Sequence, residues 1–303
     1  MDARWTSLKL LITGASGLYG SKLAKLALAN GIEVYSSDIQ SSSVYGNFIK
    51  MDISGKKQVK VAFKTIKPDV VVHAATLTDV DKCETNRELA WKVNVEGTKN
   101  IVEAAQNAGS FLMYISTDYV FSGKKGNYKE TDKPNPVNYY GLTKLKAEEI
   151  VQTQPEYFIA RPSVIYGSTP AAGKVNFALW LIETLRRGER VKIVTDQWNT
   201  PTLNTNLAYM TLEVVERRLK GIYHLCGATC VSRFEFATQI AQTYNLNTYL
   251  IDKALSSQFT WSAKRPVDSS LDTSKAQRTL HCKPLTMEKA LEQLKYELSR
   301  KTS

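Results

Sequence analysis

Short, unbroken apolar runs alternate with stretches in which apolar residues return every three or four positions, and this rhythm fills the first 165 residues. Compact apolar runs bounded by turns predict buried strands, and the longer spacing predicts helices packed against them. Leu8–Thr13 is predicted as the first strand and Tyr19–Asn30 as the first helix, closed at Asn30-Gly31. Glu33–Ser37 is a short strand ending at Asp38, Lys50–Ile53 a brief one, and Lys56–Ile66 a helix broken by Pro68. Val70–His73 and Phe111–Ser116 are buried strands flanking a long helix, Arg87–Ala108, that Gly109 closes. Asn138–Gln152 is the next helix and Tyr157–Arg161 the next strand. Strand and helix in alternation predict an α/β fold, a Rossmann-like doubly wound parallel sheet whose ligands bind at the carboxyl ends of the strands.

After Arg161-Pro162 the texture changes. Ala171–Gly173 reads as loop, Phe177–Arg187 as helix, Val191–Val194 as strand and Gln197–Asn204 as loop. Asn206–Leu219, Arg233–Tyr244 and Met287–Leu298 read as helices, with Ile222–Leu225 a strand between them. The chain divides into a dinucleotide-binding domain, residues 1–165, and a smaller C-terminal α/β substrate lobe, residues 166–303. Segments of about 191–222 return to the first domain.

The first turn carries the chemistry. Leu10-Leu11-Ile12 runs into a turn holding Gly14, Gly17 and Gly20, and a small-residue helix follows. A helix start offers unpaired N–H groups and partial positive charge, and glycines let a pyrophosphate approach the backbone. Asp38 ends the second strand 18 residues after Gly20, where a carboxylate can accept from an adenosine ribose. Its charge would repel a 2′-phosphate, and no Lys or Arg lies between Tyr35 and Ile49, so NAD(H) is favoured, with NADP(H) as the alternative. Tyr140 and Lys144 stand four apart on a predicted helix and share a face. A nearby ammonium would lower the tyrosine pKa and make Tyr140 a general acid/base. Thr117, at a strand's carboxyl end, can bond the same reacting oxygen.

Composition adjusts this picture little. Forty basic against 29 acidic residues give +11, but the basic residues are dispersed and no recognition motif accompanies them, so no nucleic-acid partner is expected. No apolar run approaches the roughly 20 residues of a membrane span, and Met1–Trp5 leads into the first strand without a cleavage site. Four scattered cysteines read as reduced thiols of a cytoplasmic protein, and no metal site is expected from them or from the three histidines.

Together these features resemble the extended short-chain dehydrogenase/reductase family over nearly the whole chain. The glycine turn, Asp52-Ile53, His73-Ala74-Ala75, Asn94–Thr98, Ser116-Thr117 and Tyr140/Lys144 fall in family order. The resemblance implies that Tyr140 donates a proton, Lys144 also binds the nicotinamide ribose and Thr117 polarises a carbonyl. It implies cofactor contacts from Gly14, Ser16, Gly17, Leu18, Tyr19, Gly20, Asp38, Asp52, Ile53, Ala74, Ala75, Thr76 and Asn94. Within the family, Ser116–Gly123, Asn138–Lys144, Thr195–Thr202, Tyr223–Leu225 and Arg265–Lys275 are similar to the dTDP-4-dehydrorhamnose reductases. That similarity implies hydride transfer to a 4-keto-6-deoxy sugar nucleotide, with Thr117 and Asp118 holding the sugar and Trp198 in the substrate loop. Arg265, before Pro266, is a candidate for the substrate's pyrophosphate. Two departures stand out: Ser122 replaces an expected Asp, and Val164 an expected Trp.

Asp118 is followed by Tyr119, so the acid–base pair of a 4,6-dehydratase is missing. A sugar-nucleotide 4-epimerase, with the same Tyr/Lys/Thr trio, stays open. So does a non-catalytic NAD(P)-binding subunit resembling the regulatory subunit of methionine adenosyltransferase. A homodimer is compatible with the family pattern but is not fixed by these residues.

Overall fold

A computed structural model describes residues 8–40, 45–169 and 175–300. The predicted Ala171–Gly173 loop and the Met1–Trp5 segment lie outside the described residues. Seven strands form the central sheet, in the spatial order Gly221–Tyr223, Tyr157–Ala160, Phe111–Ile115, Val70–His73, Lys9–Thr13, Glu33–Asp38 and Asn47–Lys50. Every neighbouring pair runs parallel. Lys9–Thr13 has Glu33–Asp38 on one side and Val70–His73 on the other, so the winding reverses there and opens a crevice beyond the strand ends.

Both faces of the central strands are covered, which is why Leu10–Ile12, Val70–Val72 and Phe111–Ile115 are apolar runs rather than alternating. One face buries Leu10, Ile12, Val70, Val72 and Met113 against the Leu18–Ala29 and Asn204–Arg217 helices. The other buries Leu11, Val71, Leu112 and Ile159 against the Lys56–Ile66 and Gly97–Ala108 helices. A separate apolar core gathers Tyr166, Leu181, Ile182, Ile193, Phe236 and Leu291 from later elements. The chain crosses between these regions: the helix at 204–217 and the strand at 221–223 belong to the central sheet's layers.

Several elements differ from expectation. The strand expected at Lys50–Ile53 lies earlier, at Asn47–Lys50; it is a half-exposed edge, while the buried Met51 and Ile53 that suggested it follow it. The expected Gln197–Asn204 loop contains two short strands, Trp198–Asn199 and Pro201–Leu203, which pair with Val231–Ser232 and Ser163–Tyr166. The long helix from Arg87 is interrupted by a π turn over Lys92–Glu96. Pairings between distant segments leave no mark in local periodicity. Among the described residues, no helix is long and apolar enough to cross a membrane.

Candidate active site

The crevice at the winding reversal is a cleft of about 990 Å³, at the upper end of the range for small-molecule sites. Gly14, Ser16, Gly17, Leu18, Tyr19 and Gly20 form its floor. Gly14 has φ +71°, and a Cβ there would lie 2.7 Å from the Ala75 backbone nitrogen. A Cβ on Gly20 would meet the Gly14 carbonyl oxygen at 2.3 Å, so side chains at either position would force strand and helix apart. Gly17 precedes the Leu18–Ala29 helix, which has no side-chain cap and no acidic residue in its first turn. Its N–H groups therefore face the cleft without a competing carboxylate.

The residues present fit a dinucleotide. Ser16 and Ser37 both line the cleft, and their hydroxyl oxygens are buried without a hydrogen-bond partner. Asp38 lines it too; its carboxylate accepts from the Ser16 amide at 3.1 Å and the Gln40 amide at 3.2 Å. The parallel register sets Lys50 beside Asp38 on the edge strand, one residue beyond the window that held no base in the sequence. Asp52, Ile53, Ala74, Ala75 and Thr76 complete this end.

Asn94 is placed otherwise. Its side-chain oxygen accepts from Thr76 Oγ1 at 2.8 Å and the Leu77 amide at 2.7 Å, and its Nδ2 donates to Thr143 Oγ1 at 3.0 Å. The amide is consumed in joining the π turn, the 76–77 loop and the Tyr139–Val151 helix, and it does not line the cleft. His73 is fully buried between the hydroxyls of Thr13 and Thr98, and burial with the Lys144 charge pushes its pKa down to about 3.

Thr117, Asp118, Tyr140 and Lys144 meet at the other end. Asn138 caps the Tyr139–Val151 helix by accepting from the Gly141 amide at 2.8 Å, which fixes where Tyr140 emerges. Tyr140 and Thr117 line the same end of the cleft, and the Thr117 hydroxyl donates to Asp118 Oδ1 at 3.0 Å. Asp118 is buried, and its other oxygen accepts from Ser163 at 2.9 Å and Ser269 at 2.6 Å. Burial raises its pKa, opposed by those hydroxyls and the charge of Arg233.

Lys144 Nζ donates to the Ile115 carbonyl at 2.7 Å and lies 4.2 Å from the centroid of the Tyr114 ring. Burial brings its pKa down to about 7, against the opposing charge of Glu148. No hydrogen bond joins it to the Tyr140 hydroxyl among the described residues. The expected lowering of the tyrosine pKa does not follow from the protein's own charges. Burial raises it, the Thr117 hydroxyl opposes this, and the Asp118 charge adds to the rise. Tyr140 is thus held as a neutral phenol, the form a proton donor requires.

Two expected substrate residues lie outside the cleft lining. Trp198 belongs to a short strand paired with Val231–Ser232. Arg265 is forked onto the Asp81 carboxylate, at 2.8 and 2.5 Å, and also donates to the Ala263 carbonyl. Val164 lines the cleft with φ +41°, strained backbone for a β-branched residue. Ser122 bonds the Tyr128 hydroxyl at 3.1 Å. A cleft residue that sequence reasoning missed is Arg233, which opens a helix and belongs to no motif.

Comparison with known proteins identifies the family. The family model described as RmlD substrate binding domain matches residues 8–299. The chain is 34% identical over 301 residues to a dTDP-4-dehydrorhamnose reductase of Aggregatibacter actinomycetemcomitans, covering 95% of this chain and 98% of that one. It is 29% identical over 283 residues to methionine adenosyltransferase 2 subunit beta of Xenopus laevis, covering 91% and 84%. Among solved structures it is similar to a dTDP-4-dehydrorhamnose reductase from Bacillus anthracis in complex with NADP, with TM-score 0.88, 30% identity and coverage of 96% and 99%. A parallel sheet wound about a glycine turn, a Tyr/Lys pair at its strand ends and a family match over almost the whole chain leave one conclusion: the protein belongs to the RmlD substrate-binding-domain family, within the extended short-chain dehydrogenase/reductases.

Proposed function

We propose that this protein reduces the 4-keto group of a 4-keto-6-deoxy sugar nucleotide, with dTDP-4-dehydrorhamnose as the first candidate and Tyr140 as proton donor. It is an NAD(P)-dependent oxidoreductase. The observation that carries the finer reading is the meeting of Thr117, Tyr140 and Lys144 in the same cleft as the glycine turn. The cofactor, when bound, supplies a hydride. Gly14, Ser16, Gly17, Asp38, Asp52 and Ala74–Thr76 would hold it. Tyr140 then gives its hydroxyl proton to the carbonyl oxygen, while Lys144, in the same cleft, would hold the nicotinamide ribose. Asp118, buried under Thr117, orients the threonine hydroxyl rather than touching the sugar.

Asp38 supports NADH, through its place beside the expected ribose. Lys50, next to it in register, and the NADP held by the Bacillus anthracis structure support NADPH. The similarity to methionine adenosyltransferase 2 subunit beta carries a second reading, a regulatory subunit that acts by docking.

The test is the loss of nicotinamide absorbance across a panel of keto-sugar nucleotides, with wild type and Tyr140→Phe. The variant is expected to turn over roughly 10²- to 10⁴-fold more slowly while binding cofactor normally. Unchanged turnover would remove Tyr140 from the reaction. No turnover of any panel member by wild type, with binding to a methionine adenosyltransferase, would establish the second reading.

A further inference from the structure

Among the described residues several arginines are held by carboxylates. Arg161 is forked onto Glu148, Arg187 onto Glu189, Arg190 onto Asp252 and Arg265 onto Asp81. Arg233 makes no ion pair among the described residues, and it lines the cleft. Its backbone is fixed from three directions. Val231–Ser232 pairs with Trp198–Asn199, the Arg233 amide donates to the Gln197 carbonyl at 2.9 Å, and Ser232 and Glu235 form a reciprocal cap at the start of its helix.

The side chain is backed by aromatic rings. Its guanidinium lies 5.8 Å from the Phe177 ring centroid, and its charge acts on both the Tyr119 hydroxyl and the Asp118 carboxylate. The Tyr119 ring in turn stands edge-on to Tyr140, 6.1 Å between centroids. The guanidinium is therefore one side chain away from the proton donor. The nearby Asp118 carboxylate is already committed to three hydroxyls.

We infer that Arg233 grips the diphosphate of the sugar nucleotide, the role that sequence alone gave to Arg265. This rests on the sugar-nucleotide reading above. A sugar with its keto carbon at Tyr140 carries its C1 diphosphate across the ring, and Arg233 lines the same cleft next to Tyr119, the ring that stands edge-on to Tyr140. A planar guanidinium binds phosphate oxygens in pairs, and this one lies near the Phe177 ring. Arg265 would first have to give up Asp81.

The experiment measures binding of dTDP and of uncharged thymidine to the full-length protein by calorimetry, with cofactor present, for wild type, Arg233→Met, Arg233→Lys and Arg265→Met. Arg233→Met is expected to weaken dTDP binding by about ten- to a hundredfold, and to leave thymidine and cofactor binding unchanged. Arg233→Lys restores part of the loss, and Arg265→Met changes dTDP affinity by less than about threefold. If Arg233→Met does not fold, as judged by cofactor binding, Arg233→Lys decides: a loss of dTDP affinity without loss for thymidine supports the assignment. Equal dTDP affinity in wild type and the folded Arg233 variants overturns it, as does failure of wild type to bind dTDP. Binding is read without turnover, so absence of reductase activity would count against the proposed reaction and leave this assignment to its own result.

Discussion

Replacing Glu148 by Gln removes one charge and almost no volume from the most deeply buried ion pair among the described residues. Arg161 reaches the Glu148 carboxylate through Nε at 2.9 Å and Nη2 at 2.6 Å, and the Ser116 hydroxyl donates to the same carboxylate. The two side chains are 1% and 2% exposed, and Arg161 Nη1 already lacks a partner. Glutamine leaves the guanidinium uncompensated in the core, which costs about 3–5 kcal/mol. For a chain of this length, with roughly 2.1 cal/mol/K of unfolding entropy per residue, Tm falls by about 5–8 °C. The perturbation also reaches the site, because Glu148 lies one turn beyond Lys144 and opposes the burial that holds that amine near pKa 7. His73 from the central sheet, Cys83 from the Val80–Thr85 helix and Tyr114 beneath it complete the groups facing Lys144. Without the Glu148 charge the ammonium loses its proton at lower pH, so the limb of the kcat profile that follows Lys144 moves down by about one pH unit. Thermal melts and a pH–rate series on the same preparations measure both effects. A double change, Glu148→Leu with Arg161→Met, restores most of the Tm but not the pH profile. A Glu148→Gln protein that melts within about 1 °C of wild type, with a superimposable profile, would refute the reasoning.

Asp38→Ala is expected to lower the NADH-to-NADPH ratio of kcat/KM by about tenfold, since the carboxylate that accepts from a ribose also repels a 2′-phosphate; equal ratios before and after would withdraw the ribose assignment. Acid should weaken the fold through His73 and His224, whose burial lowers both pKa values to about 3. The unfolded chain binds these protons near pH 6.5 and the folded one does not, so stability contributed above pH 6.5 is lost as pH falls toward 3. Between pH 6.5 and 5 the loss is about 2 kcal/mol per histidine, readable in urea melts at the two pH values. Identical midpoints and slopes at both would contradict the buried neutral state.

The sequence by itself determined whatever is written in short spacings. Compact apolar runs separated by helical periods specify parallel strands with helices between them, because each strand must be covered on both faces. The glycine turn is legible for the same reason: Gly14 and Gly20 stand where local geometry admits no Cβ. Tyr140 and Lys144 are visible as a pair because four residues make about one helical turn.

Tertiary structure decided what those residues meet. The charge expected beside Tyr140 is drawn to the Ile115 carbonyl, and burial sets the tyrosine's acidity instead. Asn94 is turned away from the cleft by a π turn that no local pattern announces. Arg265 and Asp81 are 184 residues apart in the chain, and only packing shows that the arginine is already taken. Arg233 reaches the cleft because two short strands, distant in sequence, pair beneath it. Periodicity records which face a residue presents to its neighbours along the chain; the partners on that face come from segments the local sequence does not contain.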